Sequence, residues 1–176
     1  DALILRIGNI TNRASDGVFQ LNYNDNAFMH RIQALLELKT IPDYILDNYV
    51  EFSPVDLVAT AVVKSIQYSN NKMNVLHIYN DNHVLIRDLI KLFDTEINVV
   101  SADKFKNIYQ KKLKENNKLI YITNDLDKDF KLVYYSNIKI KNSFTKDFFD
   151  KINFKWNTID KKYISQMLEE LNKEEK

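Results

Sequence analysis

The sequence has no cysteine and only two glycines and two prolines in 176 residues. Without cysteine there is no disulfide framework, no thiolate nucleophile and no cysteine zinc site. Such a chain suits a reducing compartment, and the cytoplasm is the expected location. With only Gly8 and Gly17, no Gly-rich turn for dinucleotide phosphates can be written, and a P-loop is excluded on the same ground. If the chain meets a cofactor, it supplies one wall of the site. No apolar run approaches the roughly 20 residues of a membrane span, and no signal peptide is evident, so no membrane partner is expected. A net charge of +1 leaves no excess of one sign. The aromatic and basic residues of 130–156 form no clustered stripe, so nucleic acid is not an expected partner either.

What is present is a globular balance: 45% hydrophobic and 28% charged residues, in a length that suits one domain with a core. The first forty residues organise the rest. Residues 2–8 form an almost continuous apolar strand. A loop holding both glycines follows, with Ser15-Asp16-Gly17 as a turn. Phe19 in that loop is an exposed aromatic or an anchor on the core. A helix is predicted over 25–38, with Phe28, Ile32, Leu35 and Leu36 on one face and Asn24 or Asp25 as cap. Thr40-Ile41-Pro42 stops it. A strand apolar on both faces belongs inside a sheet. The sequence therefore predicts a piece of a larger fold, beginning at a central strand.

Residues 49–115 repeat strand and helix three times, which indicates α/β architecture with parallel or mixed strands. Strand 49–53 leads to Ser53 as helix cap, Pro54 at the first helical position and Asp56 three residues after the cap. That helix runs to about Gln67, with Val55, Val58, Ala59, Val62, Val63 and Ile66 inward. Strand 74–79 precedes helix 83–93, and strand 97–100 precedes helix 102–115, capped by Ser101. The rhythm then weakens. Residues 116–131 read as a solvated loop or loosely held helix, and 132–140 as extended. Thr145 is expected to cap a short helix carrying Phe148, Phe149 and Ile152. Thr158 is expected to cap a last helix with Tyr163, Ile164, Met167, Leu168 and Leu171 inward.

Catalytic groups are scarce. His30, His77 and His83 lack metal-ligand spacing, so no metal site is expected. Asp81 and His83 flank a strand end, where they can form an acid–base pair or serve as turn and cap. No Gly-x-Ser-x-Gly elbow occurs. The polar residues around the first loop stand out: Asn9, Thr11, Arg13, Gln20, Asn22 and Asn26. Their amide and guanidinium groups can hold a polar ligand and orient a carbonyl, or they can cap turns and helices. None is a proton-transfer group at neutral pH, so the ring suits positioning and not acid–base catalysis.

Three blocks carry a family resemblance. Leu5-Arg-Ile-Gly-Asn-Ile-Thr-x-Arg13, Ser15-Asp-Gly-x-Phe-Gln-x-Asn22 and Asn26-Ala-Phe28 resemble the reductase domains that end nonribosomal peptide and polyketide synthetases. They also resemble the related carboxylic acid reductases and fatty acyl reductases. Phe52-Ser-Pro-Val-Asp56 is similar to the family's Phe-Thr-Pro-Val-Asp segment. Val75-Leu-His-Ile-Tyr-Asn80 followed by Asn82-His83 resembles the next strand, and Phe154-x-Trp156 the end of such domains. Between about 95 and 140 the match is diffuse. The resemblance implies the C-terminal portion of an extended short-chain dehydrogenase (Rossmann-like) fold: the last sheet strands plus the substrate-binding subdomain. Residues 1–176 would be the C-terminal part of a thioester reductase domain, without its N-terminal cofactor-binding half.

The resemblance also implies chemistry. Such a reductase uses NADPH to reduce an acyl or peptidyl thioester held on the phosphopantetheine arm of a carrier protein. The thiohemiacetal collapses to release an aldehyde, which some members reduce again to an alcohol. The family's Ser/Thr, Tyr and Lys set is not in this sequence, so no residue here is assigned a catalytic role. The piece alone is expected to be inactive and not to bind NADPH well. Ile7, Gly8 and Asn9 would edge the nicotinamide pocket. Arg13, Phe19, Gln20, Asn22, Asn26 and Phe52 would line the acyl and pantetheine channel. Asn12 stands where many relatives have glycine, so the loop takes another path or Asn12 adopts a positive φ. Two other readings stay open: a fragment of a sugar-nucleotide epimerase or dehydratase, and a non-catalytic α/β interaction module.

Overall fold

The computed structural model describes residues 2–19, 26–69, 75–115, 119–123, 125–129, 131 and 141–174. In chain order the strands are β1 (Ile4–Ile7), β2 (Ile10–Thr11), β3 (Thr40–Pro42), β4 (Tyr49–Val50), β5 (Ser53–Pro54), β6 (Val75–Ile78), β7 (Val84–Leu85) and β8 (Asn98–Val100). The helices are α1 (Ala27–Leu38), α2 (Val55–Tyr68), α3 (Ile86–Leu92), α4 (Ala102–Leu113), α5 (Ile120–Thr123), α6 (Ser143–Lys151) and α7 (Lys161–Glu174). The α/β expectation holds. The chain forms two compact units, one of Asp1–Gln20, Val50–Val84 and Lys139–Lys176, the other of Leu21–Tyr49 and Leu85–Ile138.

In the first unit β1 pairs in parallel with β6, from Ile4 opposite Val75 to Ile7 opposite Ile78. β2 pairs in parallel with β5. The core gathers Val58 and Ala61 of α2, Leu76 and Ile78 of β6, and Phe148, Phe149 and Phe154. Trp156 closes it, edge-on to Phe154 at 5.0 Å. β1 is less buried than its composition predicts. Ile4 is 51% and Ile7 44% exposed, while Leu3 and Leu5 pack on the core. Only one of its apolar faces is covered. The inner face of α2 also differs from expectation. Val58, Ala61 and Ser65 are buried, whereas Val63 and Ile66 are exposed. An apolar helix with valines on several sides does not disclose which side meets the core.

Local capping signals are partly redirected. Ser53 does not cap α2; it lies in β5, and Pro54 precedes the helix without a side-chain cap. The Ser53 hydroxyl is held instead by partners from outside the helix, Glu51 and the Asn80 backbone N–H. Thr145 lies inside α6, where its hydroxyl accepts the His77 backbone N–H at 3.0 Å and ties the helix to β6. α7 starts after Asp160, not Thr158. The Asp160 carboxylate accepts the Tyr163 N–H at 2.9 Å. Of its predicted inward residues Tyr163, Ile164, Met167 and Leu171 are buried and Leu168 is half-buried.

In the second unit Asn26 caps α1, accepting from the Phe28 and Met29 N–H groups at 3.0 and 3.3 Å. Met29, Ile32, Ala34 and Leu38 are its buried residues; of the predicted stripe only Ile32 is buried, and Phe28, Leu35 and Leu36 are half-buried. Lys39 ends it in a left-handed turn at φ 51°. Thr40–Pro42 then does more than stop the helix: it forms β3, parallel to β8. Ser101 caps α4 as predicted, accepting from the Lys104 N–H. Ala34, Leu38, Phe105, Tyr109, Leu119 and Ile122 share one core. The predicted helix 83–93 is split into β7 and the shorter α3. Residues 119–126 contribute Leu119, Ile122 and Leu126 to the core, so that stretch is not wholly solvated. The extended reading of 132–140 and the caps at Asn24 and Asp25 lie outside the described residues.

Candidate functional site

The candidate site is built where β1 ends. Gly8 continues the ladder, its N–H donating to the Ile78 carbonyl at 3.0 Å. A side chain is excluded there. A Cβ on Gly8 would lie 2.6 Å from both Glu51 Oε2 and Tyr79 Cβ, inside any normal contact. The glycine is required by close approach within the chain itself. Asn9 then donates its backbone N–H to Glu51 Oε2 at 2.9 Å, while its carbonyl accepts the Ser53 N–H at 2.9 Å.

The far side of Glu51 is equally tied. Ser53 Oγ donates to Glu51 Oε1. The Asn80 N–H donates to Ser53 Oγ at 2.9 Å. Asn80, fully buried, reaches the Asn157 carbonyl with Nδ2 at 3.1 Å and accepts the Asn82 N–H with Oδ1 at 3.0 Å. Burial raises the Glu51 carboxyl above its ordinary pKa, against hydrogen bonds from Asn9, Ser53 and Asn80 that favour the charged form.

The loop beyond Asn9 is held by two further side chains. Asp56, on the first turn of α2, accepts the Ala14 N–H at 2.9 Å and the Ser15 N–H at 3.2 Å, besides that of Leu57. Burial pushes its pKa up, but these donors prevail and the net direction is down. Tyr163 of α7 shares a buried hydrogen bond with Thr11 Oγ1 at 2.7 Å and donates to the Asn12 carbonyl at 3.2 Å. Burial raises its hydroxyl far above the usual tyrosine value, so it stays neutral. Gly17 turns the loop at φ +81°, against Gln166 of the same helix.

The predicted residues separate by environment. Ile7 and Asn9 are exposed at the end of β1, with Gly8 between them. Arg13 forks onto Asp16, Nε to Oδ1 at 2.9 Å and Nη2 to Oδ2 at 2.7 Å, and so braces its own turn. Phe19 is half-buried at the end of the loop. Phe52 has no exposed surface and stands edge-on to Tyr163 at 6.3 Å, so it bears on the site through that ring. Asn26 belongs to the second unit as the α1 cap. Gln20 and Asn22 lie outside the described residues. Asn12 is fully buried, and its φ is not positive: among described non-glycine residues only Lys39 and Asn153 have positive φ. The loop therefore does not use Asn12 as a substitute glycine.

Two residues were missed by sequence reasoning. Glu51 was read only as a strand residue and Tyr163 only as core. The one available signal for Glu51 was a lone acid in a short apolar strand. Asp81 and His83 lie before β7 and cap no helix, since α3 begins at Ile86. Asp81 forms an ion pair with Lys146 at 2.5 Å, and the His83 ring stacks on Tyr79 at 5.7 Å. Burial lowers the His83 pKa. Among the described residues no cluster of three or more His, Cys, Asp or Glu could hold a metal. No described helix is long and apolar enough to cross a membrane.

The chain can be laid on a thiolation-reductase di-domain from an archaeal nonribosomal peptide synthetase. The TM-score is 0.83 at 31% identity, covering 98% of this chain and 36% of that one. The chain is thus similar in structure to the reductase part of a nonribosomal peptide synthetase. The reductase domain of the aureusimine biosynthetic cluster gives a TM-score of 0.78 at 24% identity. The terminal R domain of the myxalamid PKS-NRPS pathway gives 0.77 at 16%, and these two likenesses show the fold alone. They cover 98% of this chain and 45% and 43% of theirs. The fold is thus that of the C-terminal region of extended short-chain dehydrogenase reductases, with parallel Rossmann-like sheets. The chain spans less than half the length of the solved structures it matches. No family model and no curated protein matches the sequence.

Proposed function

We propose that this chain is the substrate-side part of an NAD(P)H-dependent reductase. That enzyme releases carrier-bound acyl or peptidyl thioesters as aldehyde or alcohol. The observation that carries the reading is the loop leaving β1. It is fixed by Glu51, Asp56 and Tyr163 at the C-terminal end of parallel strands, the end where such sheets bind ligands.

The residues present fit one wall of a nicotinamide pocket. Ile7 offers an exposed apolar surface, Gly8 brings no side chain, and Asn9 follows with an exposed amide. Bound there, the reduced nicotinamide supplies a hydride. This chain's own part is to bind and orient. Tyr163 and Asp56 hold the loop's backbone, and Phe19 presents an aromatic ring for the pantetheine arm. Arg13 rigidifies the turn through Asp16, and Phe52 braces Tyr163 from behind. The family resemblance also assigns Gln20, Asn22 and Asn26 to substrate binding. In this reading the proton-transfer groups and the phosphate-binding turn are supplied from outside this chain, and the arm is delivered by a carrier protein.

The test uses the full polypeptide that joins this chain to its cofactor-binding segment, an acyl thioester on a carrier protein, and NADPH. Carrier-dependent loss of reduced-nicotinamide absorbance, with aldehyde or alcohol identified by mass, is expected. No turnover by the folded protein with NADPH or NADH, over a range of acyl chains, would overturn the proposal.

A further inference from the structure

We infer that Glu51 is a positioning residue: it fixes the Ile7–Gly8–Asn9 segment through a hydrogen-bonded strut that runs from Asn9 through Glu51 and Ser53 to Asn80. The inference rests on that segment being the nicotinamide wall proposed above. The strut joins the exits of both paired strands. Its near end is the Asn9 N–H, at the end of β1. Its far end is Asn80, just after β6, itself anchored on Asn157 and Asn82. The connection has no slack, because the carboxylate lies against Gly8 where even a methyl group would collide.

The chemistry of the strut argues that it does more than fill space. The groups that hold the Glu51 carboxylate directly are neutral donors, the Asn9 backbone N–H and the Ser53 hydroxyl, with the Asn80 N–H behind Ser53. A carboxylate partly drawn out of water, with no cation beside it among the described residues, costs stability relative to a neutral side chain of similar shape. What it gains is directional: two oxygens that accept from opposite sides, one from the loop and one from Ser53. The strut therefore sets the height of Asn9 above the strand ends. Ile7, paired opposite Ile78, and Gly8, bonded to the Ile78 carbonyl, follow it.

The experiment compares Glu51→Ala and Glu51→Gln in the full polypeptide. NADPH binding is followed by nicotinamide fluorescence without any thioester, and amide exchange is followed at Asn9. Glu51→Ala should raise the NADPH dissociation constant about tenfold, the equivalent of one lost hydrogen bond, and speed exchange at Asn9. Glu51→Gln should recover most of the loss, because its carbonyl still accepts the Asn9 N–H. Unchanged NADPH affinity in Glu51→Ala, or unchanged Asn9 exchange, overturns the inference while leaving the function standing. Failure of the wild-type protein to bind NADPH overturns both. Should Glu51→Ala not fold, Ser53→Ala cuts the strut on its other side. It should weaken NADPH binding about threefold, and no change overturns the inference.

Discussion

In the second unit α1, α4 and α5 meet over Ala34, Leu38, Phe105, Tyr109, Leu119 and Ile122. In the first, the loop leaving β1 is held by Glu51, Asp56 and Tyr163, each bonded to loop backbone or to Thr11. Apolar contact is strong but non-directional, so it fixes which elements meet more firmly than the height of one peptide group. Hydrogen bonds to backbone N–H and carbonyl groups are individually modest but directional. The loop of 8–19 has few apolar side chains to bury. It is positioned by polar ties from residues far away in sequence. A scaffold and a site can thus be told apart by what holds them.

The sharpest way to break this contrast is Tyr109→Ala in the second unit. Tyr109 is fully buried, stacked on Phe105 at 6.2 Å, and its hydroxyl meets Thr123 Oγ1 at 2.6 Å. Truncation should cost about 3–5 kcal/mol in denaturant unfolding, as large aromatic deletions do. Amide exchange in residues 9–18 should stay unchanged below the unfolding transition. If that loop loosens as well, the two modes of support are not separate.

Tyr163→Phe tests the other side. It keeps the ring beside Phe52 and removes the bonds to Thr11 and Asn12. The expected cost is about 1–2 kcal/mol, because Thr11 and the Asn12 carbonyl are left buried without that partner. Exchange should rise in the loop and not at α4. In the proposed reaction KM for the carrier-bound thioester should rise more than kcat falls. A variant as stable as the wild type would show that the hydroxyl does not hold the loop.

The smallest effect concerns acid. Burial raises the Asp56 pKa, but the N–H groups of Ala14, Ser15 and Leu57 outweigh it, so the folded value lies below 3.8. A carboxyl with a lowered folded pKa stabilises the fold above its unfolded pKa. That contribution is lost as pH falls through the folded value. Unfolding followed between pH 5 and pH 2 should therefore show a weaker acid dependence in Asp56→Asn than in the wild type. Parallel curves would mean that Asp56 titrates alike in both states.

Much of the fold could be read directly. The helices at α1, α4 and α7, the Ser101 cap and the strand–helix rhythm rest on apolar spacing and local caps, and these survive folding. The misreadings share one cause. Ser53 and Thr145 look like caps because a hydroxyl before or early in a helix usually bonds its own turn. Here each is bonded to a segment distant in sequence or outside its helix. The valines of α2 named too many faces at once. In the site, the sequence marked the loop and its glycines but not the residues that hold it.

The sequence by itself determined the α/β character and the lack of any phosphate-binding turn, and it pointed to the exit of the first strand as the candidate site. These follow from composition and short-range pattern. Only the tertiary structure decided that Gly8 is small to admit Glu51, that Asp56 grips the loop besides its own helix, and that Tyr163 reaches back to Thr11 across most of the chain. Hydrogen bonds between residues 41 to 152 positions apart leave no periodic trace in a sequence. A glutamate, an aspartate and a tyrosine take these roles only when the fold brings their partners within reach.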